Sequence, residues 1–233
     1  MHDTAFAIGA AVIRQFVPKK RGTIVEIGAM NVNGTLRDAV PQGVKYIGVD
    51  QFPGKGVDVV VPYGSPIPLP EQTADLVIAS SVLEHDACFW ETFRRMCQLA
   101  KVGGHVYINV PSNGSVHCYP VDCWRFYPDA GVALERYSES TECPMKLVES
   151  FVAERQGDQW NDFVAVFRRG PKKRKPHSRI YKLFEVKNVR DEDISVELNV
   201  EEHPEDVRIV NRLRTELKER VALADYESVV GRL

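Results

Sequence analysis

Short apolar runs rich in β-branched residues alternate with segments of helical period from residue 5 to about residue 170. TIVEIG, VKYIGVD, VDVVV, DLVIASS and HVYINV are of strand length and apolar on both faces, which suits parallel strands covered by helices on either side. Between them the spacing predicts helices over 4–16, 34–40, 87–100 and 128–137, the last opening on Pro-Asp, a first-turn signal. KLVESFVAE and DFVAVFRR follow, separated only by RQGDQWN. That connection is too short for a helical crossover, so these two strands are expected to pair antiparallel. Repeated βα units closing on one hairpin predict an α/β fold, a doubly wound sheet with an antiparallel strand at its carboxyl end.

The pattern changes at GPKKRKPHS, where the basic run Lys172 to Lys175 stands between prolines and reads as a linker. Beyond it RIYKLFEVKNV and DISVELNV have strand character, and EHPEDVRIVNRLRTELKERVALADYESVV has a helical period. Val207, Val210, Leu213, Leu217 and Val221 form one apolar stripe on that helix. The stripe either packs on the main domain or makes a homodimer contact, and the sequence leaves both open. The expected organisation is a main domain over 1–170 and a small C-terminal extension over 171–233, made of the basic linker, strands and a helix.

Bulk properties narrow the class. A formal net charge of −2 with 27% charged residues gives no global basic field, so no nucleic-acid partner is expected. Five cysteines form no CxxC pair, and their odd count argues against a secreted disulfide framework. The N-terminal apolar run lacks a basic leader and is too short to span a bilayer. A cytoplasmic protein with no membrane span is the expectation.

Chemistry enters at IVEIGAMNVNGTLR. A glycine that ends the first strand lets a ligand approach the backbone, and a following helix N-terminus offers free N–H groups. Nucleotide-like ligands bind such sheets at this edge. A dinucleotide site wants G-x-G-x-x-G, but after Gly28 the next glycine is Gly34, so the close pyrophosphate approach is missing. Glu26 precedes the turn and disfavours a phosphate. Asp50 ends the second strand, where an acidic residue accepts from ribose hydroxyls. An adenosine carrying a cationic amino-acid tail suits both carboxylates.

With YIGVD, GVDVVV, ADLVIASSVLEH and GGHVYINVPS in the same order, the chain resembles class I S-adenosylmethionine-dependent methyltransferases over roughly residues 20 to 170. It is most similar to a bacterial small-molecule and glycan subgroup with V-N-G after the first glycine and H-x-Y-P-x-D-x-W-R after the fifth strand. The resemblance implies a Rossmann-like seven-stranded sheet with its last strand antiparallel, and S-adenosyl-L-methionine as cofactor. It implies that Glu26, Gly28, Asn33 and Gly34 form the loop against the methionine part. Asp50 would then bind the ribose, with Gln51 and Phe52 beside the adenine and Ser80 and Ser81 near the reactive end. Many relatives place an aspartate after the third strand; this chain has Pro62 and Tyr63, so adenine is read there by backbone or by stacking on Tyr63.

The loop SNGSVHCYPVDCWRFYPDA lies on the same edge and is dense in His, Tyr, Asp, Trp and Arg. Methyl transfer from a sulfonium needs in-line alignment, and a hydroxyl acceptor benefits from a base. His117 is the first base expected, Asp122 its orienting partner, and His85 the second base. Tyr119 and Trp124 are expected to wall the acceptor site, with Arg125 holding an anionic acceptor group; an internal Asp122–Arg125 salt bridge and a core role for Trp124 are the structural alternatives. His117, Cys118 and Cys123 lack the grouping of a zinc site, so no metal is expected. The activity this implies is O-methylation of a hydroxyl on a small molecule or glycan, as in polysaccharide or secondary-metabolite synthesis; an amine acceptor is not excluded. A nicotinamide-dependent oxidoreductase and a non-catalytic cofactor-binding scaffold are the alternatives.

Overall fold

The computed structural model describes residues 3–157, 159–171 and 178–230, so the basic run Lys172 to Lys175 lies outside the described residues. The elements are α1 (Asp3–Phe16), β1 (Thr23–Ile27), β2 (Lys45–Asp50), β3 (Val59–Val60), β4 (Ala74–Ser80), α2 (Phe89–Leu99) and β5 (Ala100–Pro111), followed by α3 (Ala130–Glu139), β6 (Met145–Ala153), β7 (Asp162–Arg169), β8 (Val186–Asp191), β9 (Ile194–Leu198) and α4 (Glu205–Val230).

The sheet runs β3-β2-β1-β4-β5-β7-β6-β8-β9, nine strands among the described residues. Strands β1 to β5 pair parallel, and β7 inserts antiparallel between β5 and β6. The order reverses between β1 and β4, which makes their carboxyl ends the natural ligand crevice.

Alternating side chains of the central strands feed two cores. Ile24, Leu76, Ile78 and Tyr107 meet Ile8, Val12 and Ile13 of α1 on one face. Val25, Val77, Val106 and Phe167 meet Phe93, Met96 and Cys97 of α2 on the other. Phe93 and Phe167 are fully buried with ring centroids 4.9 Å apart, and burying one such ring contributes about 1.5–3 kcal/mol.

The sheet differs from the expected seven strands by β8 and β9, which continue it past β6. They fall after residue 170, where the sequence placed the end of the main domain, yet the compact unit runs Met1–Val200. Arg179 ties the segment before β8 to Asp191 at its end, both side chains nearly buried, and the Glu149 carboxylate accepts from the Tyr181 backbone. Residues 180–183 of the expected strand form a 3-10 turn instead.

The second unit, Glu201–Leu233, carries α4. Its stripe residues Val207, Val210, Leu213, Leu217 and Val221 are all exposed.

Candidate functional site

The residues assigned to a cofactor gather at the carboxyl ends of β1 to β4. Gly28 has φ +75, and a Cβ on it would stand 2.2 Å from Val82 Cγ2. Both Gly28 and Ala29 donate to the Val49 carbonyl, at 2.8 and 3.1 Å, so the chain turns over the end of β2. There Asp50 accepts from the backbone of Met30 and of Phe52, each at 3.1 Å. It ties the two loops together, and each carboxylate oxygen keeps acceptor capacity beyond that one bond. Asn31 donates to Lys55 at 2.8 Å, and Gly34 donates to the Asn31 side chain at 2.9 Å, closing the loop that includes Asn33.

Two expectations change here. The helix over 34–40 is only a 3-10 turn, Leu36–Ala39, capped by Thr35, so it offers no helix N-terminus to a ligand. Pro41, which follows at once, cannot supply the N–H that a continuing helix needs. Glu26 faces the protein interior, 3% exposed, with the Tyr46 hydroxyl donating to it at 2.5 Å. Burial pushes its carboxyl up to about 7. It lies in the strand beneath the loop, tied to Tyr46.

Around them, Pro62, Tyr63, Gln51 and Phe52 are largely open to solvent, with Tyr63 64% and Phe52 56% exposed. Tyr63 donates to Asp86 at 3.2 Å. Ser80 is buried at the end of β4, and Ser81 takes φ +56 while donating to the Asn109 carbonyl at 2.8 Å.

Beyond β4, the turn Leu83–His85 anchors the loop that follows β5. The Glu84 carbonyl accepts from Cys123 at 2.7 Å and Trp124 at 3.2 Å, and His85 Nδ1 donates to Val121 at 2.5 Å. Desolvation holds the His85 imidazolium below its ordinary pKa, which keeps the ring neutral near pH 7.

His117 and Asp122 come together as expected: the carboxylate accepts from the His117 backbone at 2.7 Å and stands 3.2 Å from Nδ1. Hydrogen bonds from Arg125 hold the Asp122 carboxyl far below the usual range, so it is ionised at every physiological pH. Nδ1 also lies 3.4 Å from Arg125 Nη2, and in the tautomer with Nδ1–H toward Asp122 the Nε2 lone pair of His117 is free to act. His85 lies beside it, ring centroids 4.9 Å apart.

Arg125 does not present itself to an acceptor. It donates to Asn113, Ser115 and Trp124 carbonyls and to both Asp122 oxygens, at 2.6 to 3.0 Å. Five bonds match the five N–H groups of a guanidinium, so it builds the loop, the Asp122 salt bridge included. Trp124 is partly a packing residue: its indole donates to Asp86 and its ring meets Phe89 and Trp90, yet 38% stays exposed. Tyr119 is 60% exposed.

Three residues outside the sequence assignment belong to the site. Asp86 joins Tyr63 to Trp124, and Trp160 packs on His117 at 4.6 Å and beneath Arg125 at 5.6 Å. Glu84 is fully buried beside the histidines, and burial raises its carboxyl pKa to about 8. The LEH triplet was the available signal, since a glutamate next to His85 at a strand end lies within reach of any ligand there.

No helix among the described residues is long and apolar enough to cross a membrane. No protein-family model matches the sequence, and a search of curated proteins finds no match. Solved structures do match. The 1,6-didemethyltoxoflavin-N1-methyltransferase of Burkholderia thailandensis, with 1,6-didemethyltoxoflavin and S-adenosylhomocysteine bound, is 16% identical, covers 72% of this chain and 77% of its own, and has a TM-score of 0.53. The cyclase SpnF is 11% identical over 71% of this chain and 81% of its own, at 0.52. A SAM-dependent methyltransferase of Methanosarcina mazei is 13% identical over 68% and 96%, at 0.50. The Rossmann-like sheet with its antiparallel β7 is therefore the fold of class I S-adenosylmethionine-dependent methyltransferases.

Proposed function

We propose that the chain is an S-adenosylmethionine-dependent methyltransferase that methylates a hydroxyl of a sugar, glycan or other small molecule. The observation that carries this reading is one shared edge. The Gly28 loop and Asp50 end β1 and β2, and a His117–Asp122 pair follows β5 beside the end of β4. Asp50 would hold the ribose, the Gly28 loop the methionine part, and the exposed rings of Phe52 and Tyr63 the adenine.

The acceptor oxygen attacks the sulfonium methyl opposite sulfur, so a C–O bond forms as the C–S bond breaks and S-adenosylhomocysteine leaves. His117 Nε2 takes the acceptor's proton and Asp122 stabilises the imidazolium. Trp124 and Tyr119 would face a sugar or aromatic ring. A homodimer through the exposed stripe of α4 belongs to the same reading.

The competing nicotinamide chemistry lacks its glycine fingerprint. The cyclase on this fold supports keeping a reaction other than methyl transfer as the second reading. Incubation with methyl-labelled cofactor and a panel of sugars, glycans and small phenols should move label onto one acceptor class. Tight S-adenosylhomocysteine binding with no transfer to any hydroxyl or amine would favour the non-catalytic scaffold.

A further inference from the structure

The Glu84 carboxyl is 0% exposed, and among the described residues no other residue hydrogen-bonds to either of its oxygens. A buried carboxylate without partners costs several kcal/mol, so Glu84 either keeps its proton or ionises against a cation held beside it. One polar neighbour is close but not bonded: His85 Nε2 lies 3.7 Å from Glu84 Oε1, beyond hydrogen-bond range. Two ligands at about 2.1 Å from one ion stand roughly 3–4 Å apart, which is the separation found.

His117 completes the group, since one ligand atom from each of Glu84, His85 and His117 falls within 4.8 Å of the others. Both imidazoles are set for ligation. His85 directs Nδ1 to the Val121 carbonyl and His117 directs Nδ1 to the Asp122 carboxylate, leaving each Nε2 as the donor atom. Metal-bound histidines are commonly fixed by a carbonyl or carboxylate on the other nitrogen.

We propose that Glu84, His85 and His117 bind one divalent first-row transition-metal ion of the zinc class. Two imidazoles and a carboxylate suit such an ion better than magnesium, which prefers oxygen throughout. Three protein ligands leave coordination positions for water or an acceptor oxygen. With the ion bound, His117 Nε2 is a ligand, and its role as proton acceptor applies only to the ion-free site. An acceptor hydroxyl bound there loses its proton to water and attacks the methyl as an alkoxide. That catalytic use rests on the methyl-transfer reading; the binding of the ion does not.

Titration of the untagged, metal-free chain with cobalt(II) tests the site. One equivalent should bind with visible d–d absorption, be displaced by zinc, and show no thiolate-to-metal band in the near ultraviolet. Glu84→Gln and His117→Asn should weaken binding at least tenfold, and Asp122→Asn about 10–100-fold, with melting curves showing that each variant is folded. Affinity unchanged in Glu84→Gln and His117→Asn would overturn the proposal. So would a thiolate band, which would assign the cobalt to the exposed Cys88, Cys118 or Cys123. Cobalt binding with no S-adenosylhomocysteine binding would sink the methyl-transfer reading alone, and the reverse result would sink the ion alone.

Discussion

Replacing His117 by alanine is expected to lower turnover about 10²–10⁴-fold, the range for losing a general base. Cofactor affinity should change little, because the Gly28 loop and Asp50 hang from β1 and β2 while His117 hangs from β5. The side chain is also tied to the rest of the site through Asp122, Trp160 and the His85 ring. Steady-state kinetics on the His117→Ala and His85→Ala variants sort the roles. Loss in His117→Ala alone fits a proton acceptor, and loss in both fits a bound ion. If only His85→Ala loses turnover, the base assignment passes to His85. Full activity in both variants would leave alignment as the whole of catalysis.

Glu26 gives the second large effect, on stability. Burial lifts its carboxyl from 4.5 to about 7, with Tyr46 and Arg37 pulling the other way. An acid whose pKa is raised by folding stabilises the fold fully below its unfolded value and loses that contribution as pH rises through the folded value. About 2.5 units at 1.36 kcal/mol each is roughly 3 kcal/mol. Glu26→Gln stays neutral, so denaturant melts at pH 5 and pH 8.5 should show the variant gaining on the parent by up to about that amount. A gap independent of pH, or one of opposite sign, would show that Glu26 is not desolvated.

The central sheet was legible because its strands are apolar on both faces and short enough to exclude helices, as IVEIG and LVIAS are. The helix expected after β1 was not. Pro41 follows within two residues of Ala39, so only one tight turn, capped by Thr35, forms there. That the sheet continues past residue 170 was hidden for a different reason. β8 is held by non-local pairs, Lys187 with Glu154 and Arg190 with Asp129, and its mixed VKNVRD pattern does not announce burial.

At the site the residue types were legible and their duties were not. Asp122 and Arg125 are three apart, and either pairing inward or presenting outward is compatible with that spacing. Only the positions of the Asn113, Ser115 and Trp124 carbonyls decide for the inward arrangement. Glu84 reads as an ordinary turn acid. It is buried because residues 121–125, far along the chain, fold onto its turn.

The claim that this edge holds S-adenosylmethionine is tested most directly by calorimetric titration with S-adenosylhomocysteine, run on the parent chain and on Asp50→Ala. One site per chain is predicted, weakened by about 1–3 kcal/mol when the charged hydrogen-bond partner is removed, with no heat from NAD in either protein. Binding of NAD, or no binding of S-adenosylhomocysteine to a folded parent chain, would contradict the account.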